Sequence, residues 1–230
     1  MNERSFISEN MPVATPRRTS LLRPAAAGAD KRGAILRAAT QVFARNGFFQ
    51  SQVADVARAA GVAAGTVYLY FRSKDDLLVS LFERTMRDAI ADGRAALVGI
   101  ADPTERLTQI ARLHLERLGR DRDLAVVFQV ELRQSTKFME RFSSTYLRDY
   151  LGLIRATIAD GQAAGAFRRD VNPTIAAKVF FGALDEMATN WVLSRRRYSL
   201  RAEADAVVDL FVGGVGAKPV TRAKVRPNGD

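Results

Sequence analysis

Apolar residues recur every three or four positions through nearly the whole of this chain, and almost nowhere do they alternate one by one. A period near 3.6 gathers them on one stripe of a helix, whereas a strand needs a period of two. The pattern predicts an all-α protein, and its stops and starts divide the chain into about nine helices. Ile35, Ala38, Ala39, Val42 and Phe43 form the first stripe, which Asn46-Gly47 ends. Val53, Val56, Ala57 and Ala60 make a short second helix stopping at Gly61, and a third covers about 63–71. Ser73-Lys74-Asp75-Asp76 has capping-box spacing, with an acid three residues after the cap. It opens a long helix that turns Leu77, Leu78, Leu81, Phe82, Met86 and Ile90 inward. Asp102-Pro103 and Asn172-Pro173 are further starts, each a capping side chain followed by a proline whose missing N–H is no loss in the first turn. The remaining helices are expected at about 102–119, 124–135, 137–164, 172–194 and 200–215.

A chain of 230 residues has room for one large helical domain and one small one. The expected division is a basic disordered tail over 1–29, a small helical unit over 30–75, a larger helical domain over 76–216, and a second basic disordered tail over 217–230. Apolar runs never reach the 18 or so residues of a membrane span, and no signal-peptide core is present, so the expected location is cytoplasmic with no membrane partner. Cysteine is absent, which excludes disulfides, thiolate metal sites and cysteine nucleophiles. The single histidine, His114, has no second imidazole or thiolate with which to complete a usual zinc set, so no metal or cofactor is expected. On a helix beside Leu113 and Leu115, it reads as a packed residue or a polar group in a pocket.

Charge points to a partner. The formal net charge is +10, and the stretch from Asp30 to Asp75 alone carries seven Lys and Arg against three Asp. A basic bias concentrated in a small N-terminal unit suits a polyanion. In the same unit, two short helices are joined at Gly61, a position where the turn between them often needs the positive φ that glycine adopts freely. Gly65 and Thr66 keep side chains small near the start of the third helix, so backbone N–H groups can approach a phosphate. Tyr68 and Tyr70 can donate phenolic hydrogen bonds to phosphates or lay their rings against sugars and thymine methyls, and Lys74 can clamp a phosphate.

The stretch "GVAAGTVYLYFRSKDDLL", with "ILRAATQVFARNGFFQSQVADVARAAG" upstream, resembles the signature of the TetR family of one-component transcriptional regulators. The resemblance implies that 30–75 is a three-helix helix-turn-helix DNA-binding domain, that 76–216 is a larger helical ligand-binding and dimerisation domain, and that a homodimer binds palindromic double-stranded DNA. Carried over by position, it makes Ser51, Gln52, Gly65, Thr66, Tyr68, Tyr70 and Lys74 the DNA-contacting residues. This chain departs from many relatives in having alanine at both 63 and 64, which shifts base readout toward Thr66, Gln52 and groove shape. The segments "VELRQSTKFMERFSSTYLRDYLGLIRATIADGQAAGAFRRDV" and "FFGALDEMATNWVLSRRRYSL" are similar to the fatty-acid-degradation regulators of that family. That likeness implies a repressor released by long-chain acyl-CoA.

An acyl-CoA needs an apolar channel for its tail and cations for its phosphates. Candidate channel residues are Leu107, Ile110, Leu113, Phe128, Leu132, Phe142, Tyr146 and Ile154; candidate phosphate contacts are Arg84, Arg87, Arg106, Arg133 and Arg141. Within the resemblance, the last two helices meet their symmetry mates, which makes Phe180, Leu184, Met187, Trp191, Val207, Leu210 and Phe211 the expected dimer interface. Three other functions compete. A TetR-type repressor answering another hydrophobic molecule keeps the same architecture. An acyl-thioester enzyme needs a nucleophile and base, yet the chain has no Gly-x-Ser-x-Gly elbow and a single imidazole, so no catalytic residue is assigned. An architectural DNA binder leaves the larger domain without a task.

Overall fold

The structure, a computed structural model, describes residues 24–142, 146–196 and 198–216, with side chains from Lys31 onward apart from Lys137, Arg141 and Phe142. Among these residues it is built from ten α-helices, with a single isolated bridge between Phe167 and Gly216 in place of any sheet. A small N-terminal unit comprises α1 (Pro24–Asn46), α2 (Val53–Ala59) and α3 (Ala64–Tyr68). From it α4 (Lys74–Ala96) runs into the larger body: α5 (Pro103–Arg120), α6 (Arg122–Val126), α7 (Thr136–Phe142), α8 (Arg148–Ala163), α9 (Pro173–Leu193) and α10 (Ala204–Val215).

The helix boundaries follow local chemistry. Gly47 and Gly61 both sit at positive φ, 77° and 67°, and end α1 and α2. Ser73 accepts a hydrogen bond from Asp76 N at 3.1 Å, while the Asp76 carboxylate takes Arg72 N at 2.9 Å. Asp102 and Asn172 cap α5 and α9 by accepting from Thr104 N and Thr174 N, both at 2.8 Å. Each of these caps satisfies a donor that a helix start leaves orphaned.

Three expectations are corrected. The first helix begins at Pro24, so residues 24–29 belong to α1 and not to a tail. A proline suits the first turn, and Ala25, Ala26 and Ala27 are the strongest helix formers. The rest of both expected tails lies outside the described residues. The helix expected at 124–135 starts at Arg122, where Asp121 caps it through Leu124 N. It then widens into a π-helical turn over Val127–Glu131 and tightens into a 3-10 turn over Leu132–Gln134. The long helix expected at 137–164 is two helices, α7 and α8.

One continuous core joins both units. Ile35, Phe43, Phe48, Val56, Val67 and Phe71 fill the N-terminal unit. Leu77, Leu78 and Phe82 on α4 carry the core into Leu107, Ile110, Leu115, Ile154, Ile158, Phe180 and Leu184. Gly161 lets α8 approach Phe167: a Cβ there overlaps the Phe167 ring.

Candidate DNA-binding face and effector cavity

α3 is only five residues long, so its two sides are sharply different. Val67 is fully buried, whereas Gly65 is exposed, Tyr68 is 56% exposed and Leu69, just past its end, is 82% exposed. Gln52, the N-cap of α2, lies open to solvent, and Phe49 is exposed on the loop before it. Thr66 and Tyr70 are half-buried, Tyr70 with its ring against the core. Lys31, Arg37, Arg45, Arg58 and Arg72 are exposed cations on the same unit, while Arg32 lies over the Phe71 ring at 4.9 Å. A Cβ added at Gly65 meets nothing within 4 Å, so this glycine is not required by packing within the chain.

Two of the expected DNA contacts have internal tasks. Ser51 is buried, and its hydroxyl donates to Gly47 O at 2.6 Å. Lys74 spends its three protons on the carbonyls of Phe48, Phe49 and Ser51, at 2.8, 3.0 and 2.8 Å, with its ammonium 4.6 Å from the centre of the Phe48 ring. An ammonium has three donors, so none is left for a phosphate. The lysine is a clasp that fastens the α1–α2 corner to the start of α4. Phe49 and Leu69 were missed, because a helix this short has no periodicity from which to read its outer face.

Inside the larger body, α4, α5, the π turn, α7, α8 and α9 enclose a cavity of about 180 Å³. Met86, Ile110, Leu113, Phe128, Leu132 and Phe181 supply apolar wall. His114, Tyr150, Gln129, Arg133 and Asp185 form a polar side. Gln129 donates to Asp185 at 3.0 Å, Arg133 donates to both of them, and Thr189 donates to Gln129 at 2.9 Å, so this side is braced to α9. His114 Nδ1 is 3.1 Å from the Tyr150 hydroxyl, while its Nε2 has neither accessible surface nor a partner. Burial lowers the His114 pKa to about 4, and burial also raises the Tyr150 phenol, so both stay neutral near pH 7.

Of the expected channel residues, Ile110, Leu113, Phe128 and Leu132 line this cavity, as does Arg133 among the arginines. Leu107 and Ile154 are instead fully buried core, and Tyr146 packs half-buried outside the lining. Arg106 pairs with Asp160 at 2.8 Å, Arg84 faces Asp88 at 3.9 Å, and Arg87 is simply exposed; none of the three lines the cavity. Their helix faces diverge from the cavity, which periodicity alone does not reveal. The side chains of Arg141 and Phe142 lie outside the described residues. Buried Tyr150 and half-buried Phe181 were missed, since an aromatic on an apolar stripe reads as core.

An open groove adjoins the cavity across Leu147 and Leu153, which line both. Arg94 from α4, Arg148 and Arg155 from α8 and Lys178 from α9 surround it. A further apolar surface lies on the last helices. Phe180, Leu184, Trp191 and Val207, expected at an interface between chains, are buried within one chain, and Met187 and Phe211 are half-buried. The outward face carries Ile175, Val179 at 59% exposure, Leu193, and Leu210 at 82%. Gly182, Gly213 and Gly214 have open space where a Cβ would stand. The larger apolar residues of α9 turn inward because α8 and α10 cover them, leaving the smaller face out.

The two units also touch. Glu131, buried at the end of the π turn, accepts a hydrogen bond from Phe48 N at 2.7 Å, and the Phe48 and Phe138 rings meet edge to face at 5.2 Å. The element that supplies Phe128 and Gln129 to the cavity therefore holds the corner between α1 and α2.

A short helix pair turned at a positive-φ glycine, exposed beside cations and joined to a hollow helical body, defines a DNA-binding regulator with an effector domain. Residues 35–81 match the family described as bacterial regulatory proteins, tetR family, and residues 82–214 match the YsiA-like protein, C-terminal region. The chain belongs to the TetR family. It is 36% identical over 184 residues to the fatty acid metabolism regulator protein of Bacillus subtilis, covering 80% of this chain and 95% of that one. The fatty acid degradation regulator FadR of Bacillus halodurans superposes with a TM-score of 0.76 at 38% identity, over 80% of this chain and 98% of its own. FadR of Bacillus subtilis in complex with stearoyl-CoA superposes equally well, TM-score 0.76 at 35% identity, over the same shares. Among the described residues no helix is long and apolar enough to cross a membrane, and no cluster of His, Cys, Asp and Glu could hold a metal ion.

Proposed function

We propose that this chain is a dimeric repressor of fatty-acid degradation genes, released from a palindromic operator by long-chain acyl-CoA. The observation that carries the reading is the adjacency of cavity and groove: a largely apolar interior shares Leu147 and Leu153 as wall with a groove lined by Arg94, Arg148, Arg155 and Lys178. A molecule with a long hydrocarbon tail and a polyphosphate head matches both parts at once. The likeness to a FadR crystallised with stearoyl-CoA supports the same ligand class. The groove replaces Arg84, Arg87 and Arg106 as the cation set for the phosphates.

The cavity of about 180 Å³ is smaller than the roughly 300–1,000 Å³ of ordinary ligand pockets. A long acyl chain therefore binds a wider conformer, and only its differential affinity for that conformer can displace DNA. Widening pushes on the π turn, and through Glu131 on Phe48 and the corner ahead of α2. In the dimer, two copies of α3 reach successive major grooves about 34–36 Å apart, and the wider conformer alters that separation. Gln52, Gly65, Thr66, Tyr68, Tyr70, Phe49 and Leu69 form the contacting face.

The dimer forms through the outward face of α9 and α10, around Ile175, Val179, Leu193 and Leu210. A mid-helix glycine costs about 0.5–1 kcal/mol relative to alanine, and Gly182, Gly213 and Gly214 have no neighbour within the chain to justify that cost. Close approach of a partner helix justifies it. A mobility-shift titration tests the whole reading: DNA flanking the protein's own gene, with and without stearoyl-CoA and free stearate. A retarded band dissolved by the thioester is expected. Absence of any band removes the repressor reading, and a band indifferent to stearoyl-CoA removes the effector.

A further inference from the structure

Resting on the acyl-CoA reading, we propose that His114 and Tyr150 together donate the hydrogen bond that receives the thioester carbonyl, and so set the register of the acyl chain. The argument begins with a proton count. A neutral imidazole carries one N–H and a phenol one O–H, while the pair shares one mutual contact at 3.1 Å. If the phenol donates to Nδ1, the proton on Nε2 is unspent; if Nδ1–H donates to the phenol oxygen, the phenol proton is unspent. Either tautomer leaves one donor, and Nε2 has no partner.

The other polar side chains on that side of the cavity have found partners. Gln129, Arg133, Asp185 and Thr189 bond one another, and Arg117 is paired with Asp92. Phe181 packs its edge against both rings, with centroids 5.8 Å from His114 and 6.1 Å from Tyr150. The unspent donor thus stands beside an apolar ring and a set of polar side chains already bonded to one another. Leaving a buried donor unmade is costly, and a ligand acceptor removes that cost.

Position completes the case. Leu147, the N-cap of α8 in helical conformation, and Tyr150 and Leu153 within α8 follow one another at intervals of three, hence on one face. The two leucines line both the cavity and the basic groove, and Tyr150 sits between them at 4% exposure. A carbonyl held there has its hydrocarbon on the cavity side and its phosphates on the side of Arg94, Arg148, Arg155 and Lys178. In an acyl-CoA the thioester carbonyl joins the hydrocarbon to the pantetheine arm, which extends from there toward the phosphates.

The test compares stearoyl-CoA with S-octadecyl-CoA, the thioether in which a methylene replaces the carbonyl, by titration calorimetry on the full chain. The wild type is expected to bind the thioester about tenfold more tightly, equivalent to 1.4 kcal/mol. The H114F/Y150F double variant is expected to bind both compounds within twofold of each other. Equal affinities in the wild type, or a preference that survives in the double variant, overturn the inference while leaving the effector reading intact. Failure of the wild type to bind either compound overturns both. Should the double variant not fold, H114L/Y150F, which likewise removes both donors, takes its place under the same twofold criterion, and equal affinities in the wild type overturn the inference without any variant.

Discussion

Replacing His114 by glutamine should flatten part of the acid sensitivity of this protein. In the folded chain the imidazole is held from 6.5 down to about 4, mainly by burial; Asp185 opposes the shift and Arg117 adds to it. Between those two values the unfolded chain binds a proton that the folded chain refuses. Stability therefore rises with pH across this window and is lost on acidification through it. The magnitude follows from the gap: about 1 kcal/mol is gone by pH 5.5 and about 3 kcal/mol by pH 4, relative to pH 7. Carboxylates also titrate below pH 5, so the informative quantity is the difference between two proteins. Urea unfolding of wild type and H114Q, at one protein concentration and at pH 7, 5.5 and 4, isolates it. The wild type should lose about 3 kcal/mol more than the variant between pH 7 and 4. Parallel losses in the two proteins would show that His114 is not sealed from water, and the account of the cavity's polar side would fall with it.

Other perturbations separate the roles assigned above. Gly65→Ala should leave stability unchanged or raise it by about 0.5–1 kcal/mol, since the methyl meets nothing in the chain, yet weaken operator binding; unaltered DNA affinity would remove α3 from the contact face. Lys74→Met should cost about 2 kcal/mol of stability through three orphaned carbonyls while leaving the salt dependence of DNA binding unchanged, and a slope lower by about one would instead restore the phosphate contact. The pair Val179→Arg and Leu210→Glu should give a helical monomer by analytical ultracentrifugation with operator affinity lost, because both side chains are solvent-exposed in a single chain. Glu131→Ala should shrink the factor by which stearoyl-CoA weakens DNA binding, with Glu131→Gln retaining most of it; an unaltered factor, whatever the change in DNA affinity itself, would exclude the Phe48 link as the route of coupling.

What could be read in the sequence was what depends on near neighbours. Helix content, the caps at Ser73, Asp102 and Asn172, and the positive-φ turn at Gly61 all depend on residues within a few positions, so the linear order contains them. The inward stripe of α4 was legible too, because 23 residues define a period well. The DNA-binding unit was recognised through a contiguous motif. Where a residue's task depends on distant partners, the reading failed. Lys74 reads as a surface cation until the carbonyls of Phe48, Phe49 and Ser51 come within reach, more than twenty residues away in the chain. Phe180 and Leu184 read as interface and are core, since an apolar stripe does not say which neighbour covers it.

The order of residues by itself determined an all-α chain with a helix-turn-helix near its start, because 3.6-residue periodicity and capping are short-range chemistry. The packing of α4, α5, α8 and α9 decided where the hollow lies, that His114 meets Tyr150 across 36 positions, and which face of α9 remains open. Those outcomes depend on helix crossing and rotation, set by all the core side chains together, and no local stretch of sequence holds them.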